Sequence, residues 1–241
     1  MKFPDMPPPI QPRPAQFPSR MAEHGFTLIE LLTVITIIGI LAGILIPVVG
    51  KVRNSAYDVQ CKTSLRQWGI AISGYVTDNR GLLPGPAGGD VYMRNGHLKD
   101  GAQGLFSFLA PYVTMKNTDT GRLPDDYVCR NNRHMAVDTL QSPVYHAHTN
   151  VLGADGTYSG NIAPMGKYGK KGQAAKQPLN YNSLHNLVDL SRGKALEDAD
   201  ISLSYLGDQA SLPQQIVHGD HHNILYYDWH VGTEKVTLPA P

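Results

Sequence analysis

No G-x-S-x-G elbow, no H-E-x-x-H helix and no phosphate-binding G-x-x-x-x-G-K-[ST] loop occurs in the 241 residues. None of these common motifs therefore points to an enzyme. Charge is also scarce. Lys and Arg number 21 and Asp and Glu 20, together 17% of the chain, for a formal net charge of +1. Nucleic-acid binding usually rests on a concentrated basic face, and this balance gives no argument for one. Cysteine is limited to Cys61 and Cys129, enough for one disulfide if the body of the chain lies outside the cytoplasm. Glycine (24) and proline (18) are plentiful. Beyond residue 46 they favour a loop-rich domain with short strands over a helical bundle.

A single segment, HGFTLIELLTVITIIGILAGILIP (24–47), is long and apolar enough to cross a bilayer, for which about 20 apolar residues suffice. A signal peptide fits poorly. Its apolar core is usually about 7–15 residues and ends at a small-residue site, whereas this run reaches Ile46 and continues into Pro47-Val48-Val49-Gly50-Lys51. A plain anchor fits the length. Its orientation is not set by charge, since Arg13 and Arg20 precede the run and Lys51 and Arg53 follow it. Neither reading explains Glu30, because an intramembrane carboxylate is costly and normally has a partner. A cut after Gly25 would supply one. Phe26 would then carry a free amine, with Glu30 one helical turn away at i+4. The carboxylate of one subunit would neutralise the amine of its neighbour and set register between packed helices, as a buried polar residue does in a coiled coil.

Gly25-Phe26-Thr27-Leu28-Ile29-Glu30-Leu31 resembles the class III signal of type IV pilins and type II secretion pseudopilins. The resemblance implies cleavage after Gly25 and methylation of Phe26 by a prepilin peptidase, and an assembly role for Glu30. It also implies further partners: an inner-membrane assembly platform, and copies of the chain or other pilin-like subunits. The expected location is the inner membrane, single-pass, with the globular domain periplasmic, or a periplasmic or extracellular filament. Pro47 falls where the helix of that family commonly bends or unwinds.

Residues 1–25 then form a proline-rich leader, in which either Met1 or Met21 is the start. Residues 26–80 form a long helix whose segment 26–46 spans the membrane and drives assembly. Residues 81–241 form an extracytoplasmic, β-rich domain. After Pro47, Val48, Val52, Ala56, Val59, Thr63, Leu65, Trp68, Ile72 and Val76 recur at mostly three- and four-residue spacing, an amphipathic helix whose stripe covers a sheet. Asn79-Arg80-Gly81 and Pro84-Gly85-Pro86 end it. A short helix is expected at 105–110. Strands are expected at 127–129, 144–151, 179–182, 201–206 and 216–217, and as a hairpin of 223–227 with 231–238. The expected fold is α+β, a long N-terminal helix on a small antiparallel sheet in the manner of pilins.

Blocks 59–84, 105–113, 127–131 and 218–231 are similar to a second set, the pilin-like proteins of planctomycetes, verrucomicrobia and their relatives. Their C-terminal signature is a histidine, nine residues, then Asp-Gly. Here His218 is followed by nine residues and Asp228, but Trp229 replaces the glycine. A two-residue Asp-Gly turn needs positive φ at both positions, so a wider turn or another type is expected. Cys61 and Cys129 align with cysteines common in these relatives, and a disulfide between them would close a loop of about 68 residues.

His218, Asp228 and His230 form a candidate zinc set if the hairpin gathers them, since imidazole and carboxylate suit that ion. The alternative is hydrogen bonding, with Asp228 fixing the turn. His146 and His148 alternate on an expected strand and would share a face. Asp155 to Asn161 begins like a calcium loop but has Gly166 where the bidentate glutamate belongs. GKYGKKG (166–172) reads as a solvated basic loop. No cofactor is expected, with calcium or zinc as the alternatives. The reading is a non-enzymatic structural subunit of a pilus-like filament or secretion pseudopilus. Its alternatives are a membrane-tethered binding protein that never polymerises and a secreted metal-dependent enzyme built on His218, Asp228 and His230.

Overall fold

Positions 61, 65, 68, 72 and 76 repeat at spacings of three and four, and they orient the first helix. The computed structural model describes residues 26–86, 92–94, 105–113, 123, 125–135, 143–148, 151–152, 158–159, 163–166, 175–203, 210 and 212–236. Helix α1 spans Leu28–Asp78, 51 residues, and continues through Pro47 without an unwound turn. The chain divides between Val49 and Gly50 into two compact units.

In the first unit α1 carries the apolar run with its side chains outward. No residue of its most apolar window is buried. Among the described residues α1 is the one helix long and apolar enough to cross a membrane.

In the second unit α1 buries Cys61, Ser64, Leu65, Trp68, Gly69, Ala71, Ile72 and Val76. The expected stripe is therefore buried only in its C-terminal part, and Val48, Val52 and Val59 are exposed. The face is set by Cys61, bonded to Cys129, and by Trp68. The Trp68 indole donates to the Tyr127 carbonyl at 2.9 Å and meets the Tyr127 ring edge-on at 5.1 Å. Val59 and Thr63 are two residues from Cys61, roughly 200° around the helix, so they point away from that face.

The helix stops where Arg80 (φ +56°) and Gly81 (φ +84°) turn left-handed. The Gly81 N–H donates back to the Val76 carbonyl at 2.8 Å, the capping bond that ends many helices. A Cβ on Gly81 would lie 2.9 Å from the side chains of Asn180 and Asn182. Residues 179–182, expected as a strand, instead make one bridge, Leu82 to Asn180. Asn180 then caps a short helix, α4 (Tyr181–Leu184), by accepting from the Asn182 N–H.

The remaining described elements are β1 (Tyr92–Arg94), α2 (Leu105–Leu109), α3 (Arg130–Met135), β2 (Pro143–Ala147), β3 (Val151–Leu152), β4 (Tyr158–Ser159), β5 (Lys194–Asp198), β6 (His221–Tyr226) and β7 (Val231–Lys235). The fold is α+β: α1 packs on a five-stranded antiparallel sheet of order β1-β2-β5-β6-β7, with β3 and β4 paired separately. Besides 179–182, three more expected strands differ. Residues 125–127 form a 3₁₀ turn followed by irregular chain to Cys129, residues 201–202 are a turn, and 216–217 lead into the turn before β6. Strand β5, KALED, has no apolar alternation to announce it. It is buried on both faces, from Ala195 to Asp198.

Register sorts the side chains. Leu196 lies opposite Leu225 and Asp198 opposite Tyr145, whereas His146 and Ile224 lie opposite Glu197. Alternation along each strand puts the first group on one face and the second on the other. The first face packs on α1, where a Cβ on Gly69 would meet Leu225 at 3.2 Å. The other face holds His146, Glu197 and His222, all buried.

Candidate functional site

At the N-terminal end, Thr27 and Glu30 form a reciprocal cap. The Glu30 carboxylate accepts from the Thr27 N–H and the Thr27 hydroxyl, both at 2.8 Å, and the Glu30 N–H donates to the Thr27 hydroxyl at 3.3 Å. This is the capping box spelled by T-x-x-E, a signal available in the sequence that was not read there. Glu30 is thus held beside the start of its own helix, three residues from Thr27. Phe26 precedes the cap and is exposed, while Gly25 lies outside the described residues.

At the far end of β6 the hairpin turns through Tyr227, Asp228 and Trp229. The Trp229 N–H donates to the Tyr226 carbonyl and the Tyr226 N–H to the His230 carbonyl, each at 3.0 Å. The loop is therefore three residues long, wider than an Asp-Gly turn, and Trp229 occupies its left-handed position with φ +69°. Asp228 fixes the turn by accepting from the His230 N–H at 3.2 Å and pairing with His230 Nδ1 at 2.5 Å.

The three residues expected to gather around zinc are not gathered. Asp228 and His230 sit at the turn, and His218 sits before the opposite end of β6. A six-residue strand spans about 20 Å, so a hairpin separates residues at its mouth from those at its tip. His218 is instead drawn to α1 and β5. Its Nε2 lies 3.1 Å from Asp198 Oδ2 and its Nδ1 3.4 Å from Asp58 Oδ1. The Cys61–Cys129 disulfide is adjacent, with Cys129 Sγ 3.5 Å from His218 Nε2.

Asp58 also meets His221 Nε2 at 3.2 Å, and His221 Nδ1 meets Asp220 at 2.9 Å. The Asn223 amide donates to Asp58 Oδ1 at 2.8 Å and the Lys62 ammonium to Oδ2 at 2.7 Å. Partial burial alone would raise the Asp58 carboxyl, but Lys62, Asn223, His221 and His218 outweigh it and hold the pKa at about 2. No local pattern joined Asp58 to His218, which lie 160 residues apart.

The other sheet face carries two further polar groups. His148 Nε2 and Glu197 Oε1 are 2.8 Å apart, and Lys194 approaches Glu197 at 3.4 Å. Burial would raise the Glu197 carboxyl, but His148, Lys194 and His222 hold it at about 2. Burial, with His148, pushes His146 down to about 3 against the pull of Glu197. His146 and His148 do share one environment, their rings 4.8 Å apart.

Ser202, His222 and Asp200 also cluster, but Ser202 and Asp200 both contact His222 Nε2, at 3.0 and 2.7 Å. A Ser-His-Asp relay needs serine and aspartate on opposite ring nitrogens, so this group is not one. Most of the segment starting at Asp155 and of the 166–172 loop lies outside the described residues.

Residues 20–46 match the family model for the prokaryotic N-terminal methylation motif. The chain thus carries a prepilin-type motif, which marks substrates of a prepilin peptidase, and its single apolar N-terminal helix fits a pilin-type membrane anchor. No curated protein and no solved structure matches the chain.

Proposed function

We propose that the chain is a structural subunit of a type IV pilus-like filament or a type II secretion pseudopilus. The observation that carries this reading is the methylation motif at residues 20–46 joined to an apolar helical segment whose most apolar stretch has no buried residue. A helix of that kind needs either lipid or other helices around it. In this reading the peptidase cuts after Gly25 and methylates Phe26, residues 26–46 leave the bilayer for the filament core, and an assembly platform in the inner membrane drives the exchange. Residues 81–241 face the periplasm, and the Cys61–Cys129 disulfide supports an oxidising compartment. The spacing of His218 and Asp228 supports a place among the H-x9-D-G relatives.

Mass spectrometry of the N-terminal peptide from native membranes tests the processing step, with methylated Phe26 as the expected first residue. Crosslinking between residues 26–46 of neighbouring subunits tests polymerisation. A processed chain that never crosslinks to a neighbour would instead be a membrane-tethered binding protein, and a retained leader would remove the pilin pathway altogether.

A further inference from the structure

We propose that Asp58, His218 and His221 form a binding site for a divalent transition-metal ion such as zinc. Their ligand atoms all lie within 4.8 Å of one another. Asp58 Oδ1 is 3.4 Å from His218 Nδ1 and 3.2 Å from His221 Nε2. Tetrahedral zinc, with bonds of about 2.0–2.1 Å, sets its ligand atoms roughly 3.3 Å apart. The spacing therefore suits an ion between the three residues.

The surrounding groups turn the right atoms inward. His218 Nε2 faces Asp198 at 3.1 Å and His221 Nδ1 faces Asp220 at 2.9 Å. When each carboxylate takes the ring N–H beside it, a lone pair is left on His218 Nδ1 and on His221 Nε2. Such carboxylate–histidine pairs orient metal-binding imidazoles.

In those tautomers both lone pairs face Asp58 Oδ1; if His221 instead donates from Nε2 to Asp58 at 3.2 Å, its Nδ1 lone pair is left against Asp220 at 2.9 Å. His218 Nδ1 is fully buried and has no hydrogen-bond partner among the described residues, and a buried unpaired nitrogen is costly. A cation resolves the conflict. Three carboxylates, Asp58, Asp198 and Asp220, surround the two imidazoles, with the Lys62 ammonium on Asp58 and that of Lys235 acting on Asp220. A cation held between the imidazoles offsets the excess negative charge. A pocket of about 430 Å³, lined in part by Asn54, Ser55, Asn131 and Gln215, opens on the three ligands. The site clamps α1 to the start of β6, close to the disulfide, and it does not depend on whether the chain polymerises.

The test uses the full chain, without a histidine tag, purified in detergent and stripped with chelator. It is titrated with zinc alone and, in parallel, with cobalt(II). The expected result is one zinc retained per chain, visible ligand-field bands of four-coordinate cobalt, and a melting temperature raised by zinc. Asp58→Asn and His221→Ala, both at partly exposed positions, are each expected to weaken zinc binding at least about tenfold and to abolish the melting shift. His230→Ala, at the far end of the hairpin, is expected to bind as wild type does. His218→Ala removes a buried side chain, so it is informative only alongside the two partly exposed variants. Failure of the wild-type chain to retain zinc would overturn the proposal. So would Asp58→Asn and His221→Ala binding as tightly as wild type, including the case in which His146→Gln abolishes binding and places the ion at His146, His148 and Glu197.

Discussion

Trp229 stacks on Tyr181, ring centroids 5.1 Å apart and planes 19° from parallel, while its own backbone sits at φ +69°. The side chain thus holds a residue in a conformation that costs non-glycine residues about 1–2 kcal/mol. Trp229→Gly removes that cost, but it loses the stack, worth about 0.5–1.5 kcal/mol beyond area burial, loses the indole area packed against the core, and adds the conformational entropy of glycine, about 0.5–1 kcal/mol. Trp229→Ala loses the stack and keeps the backbone cost. Thermal melts are therefore expected to rank wild type above Trp229→Gly, and Trp229→Gly above Trp229→Ala. A glycine variant more stable than wild type would show that the stack contributes less than the strain.

The Cys61–Cys129 bond closes a loop of 68 residues between α1 and the chain preceding α3. Reduction, or the Cys61→Ser/Cys129→Ser pair, is expected to lower stability by about 2–4 kcal/mol. Denaturant unfolding with and without reductant measures this. Peptide mapping under non-reducing conditions checks that the bond is present in protein from native membranes.

Acid is expected to destabilise the domain in two ranges. His146 is held down to about 3, against 6.5 for a free histidine. Below pH 6.5 the unfolded chain takes up a proton that the folded chain refuses. Stability is therefore full above that pH and falls towards pH 3, by on the order of 3 kcal/mol at pH 4. Glu197, held at about 2 against 4.5, has the same sign. Its contribution is full above pH 4.5 and is lost as the pH falls towards 2. Melting temperatures from pH 7.5 to 4 should decline, and His146→Gln should flatten the part between pH 6.5 and 4.5. An unchanged slope in that variant would show that His146 is not held neutral.

Thr27 separates two roles of Glu30. Thr27→Ala removes the hydroxyl from the cap and should weaken the helix start by about 1 kcal/mol, while leaving the carboxylate in place. Glu30→Leu removes the carboxylate itself. If Glu30 acts by pairing with an amine, filaments of Thr27→Ala should form at near wild-type levels. Glu30→Leu should insert in the membrane and lose at least about tenfold in sheared-filament yield. Equal losses in both variants would make the cap, not the charge pair, the functional feature.

Local signals were legible wherever a segment's neighbours in space are its neighbours in sequence. The apolar run, the Arg80-Gly81 helix end and the β6–β7 hairpin are of this kind. The turn is wider, as Trp229 in place of glycine announced, but Trp229 still takes the left-handed φ of +69° that its residue type disfavours, held there by its stack on Tyr181. Strand β5 was not legible. Its Glu197 and Asp198 are polar yet buried. Lys194, three residues from Glu197, is a local partner, but His148 and the backbone N–H of Asn223 are partners that no local window of the sequence contains.

The sequence by itself determined the two ends of the molecule's behaviour, an N-terminal segment written for processing in a membrane and a C-terminal hairpin. Both follow from run length, residue type and short-range spacing, which act before any tertiary contact forms. Only the tertiary structure decided the company His218 keeps. Its proximity to Asp228 and His230 in sequence counted for nothing once an extended strand carried them away. Asp58, far earlier in the chain, was brought to it because the face of α1 that buries Cys61, Leu65 and Trp68 also turns Asp58 towards the start of β6. Hydrophobic burial sets that rotation, and the polar groups meet as its consequence.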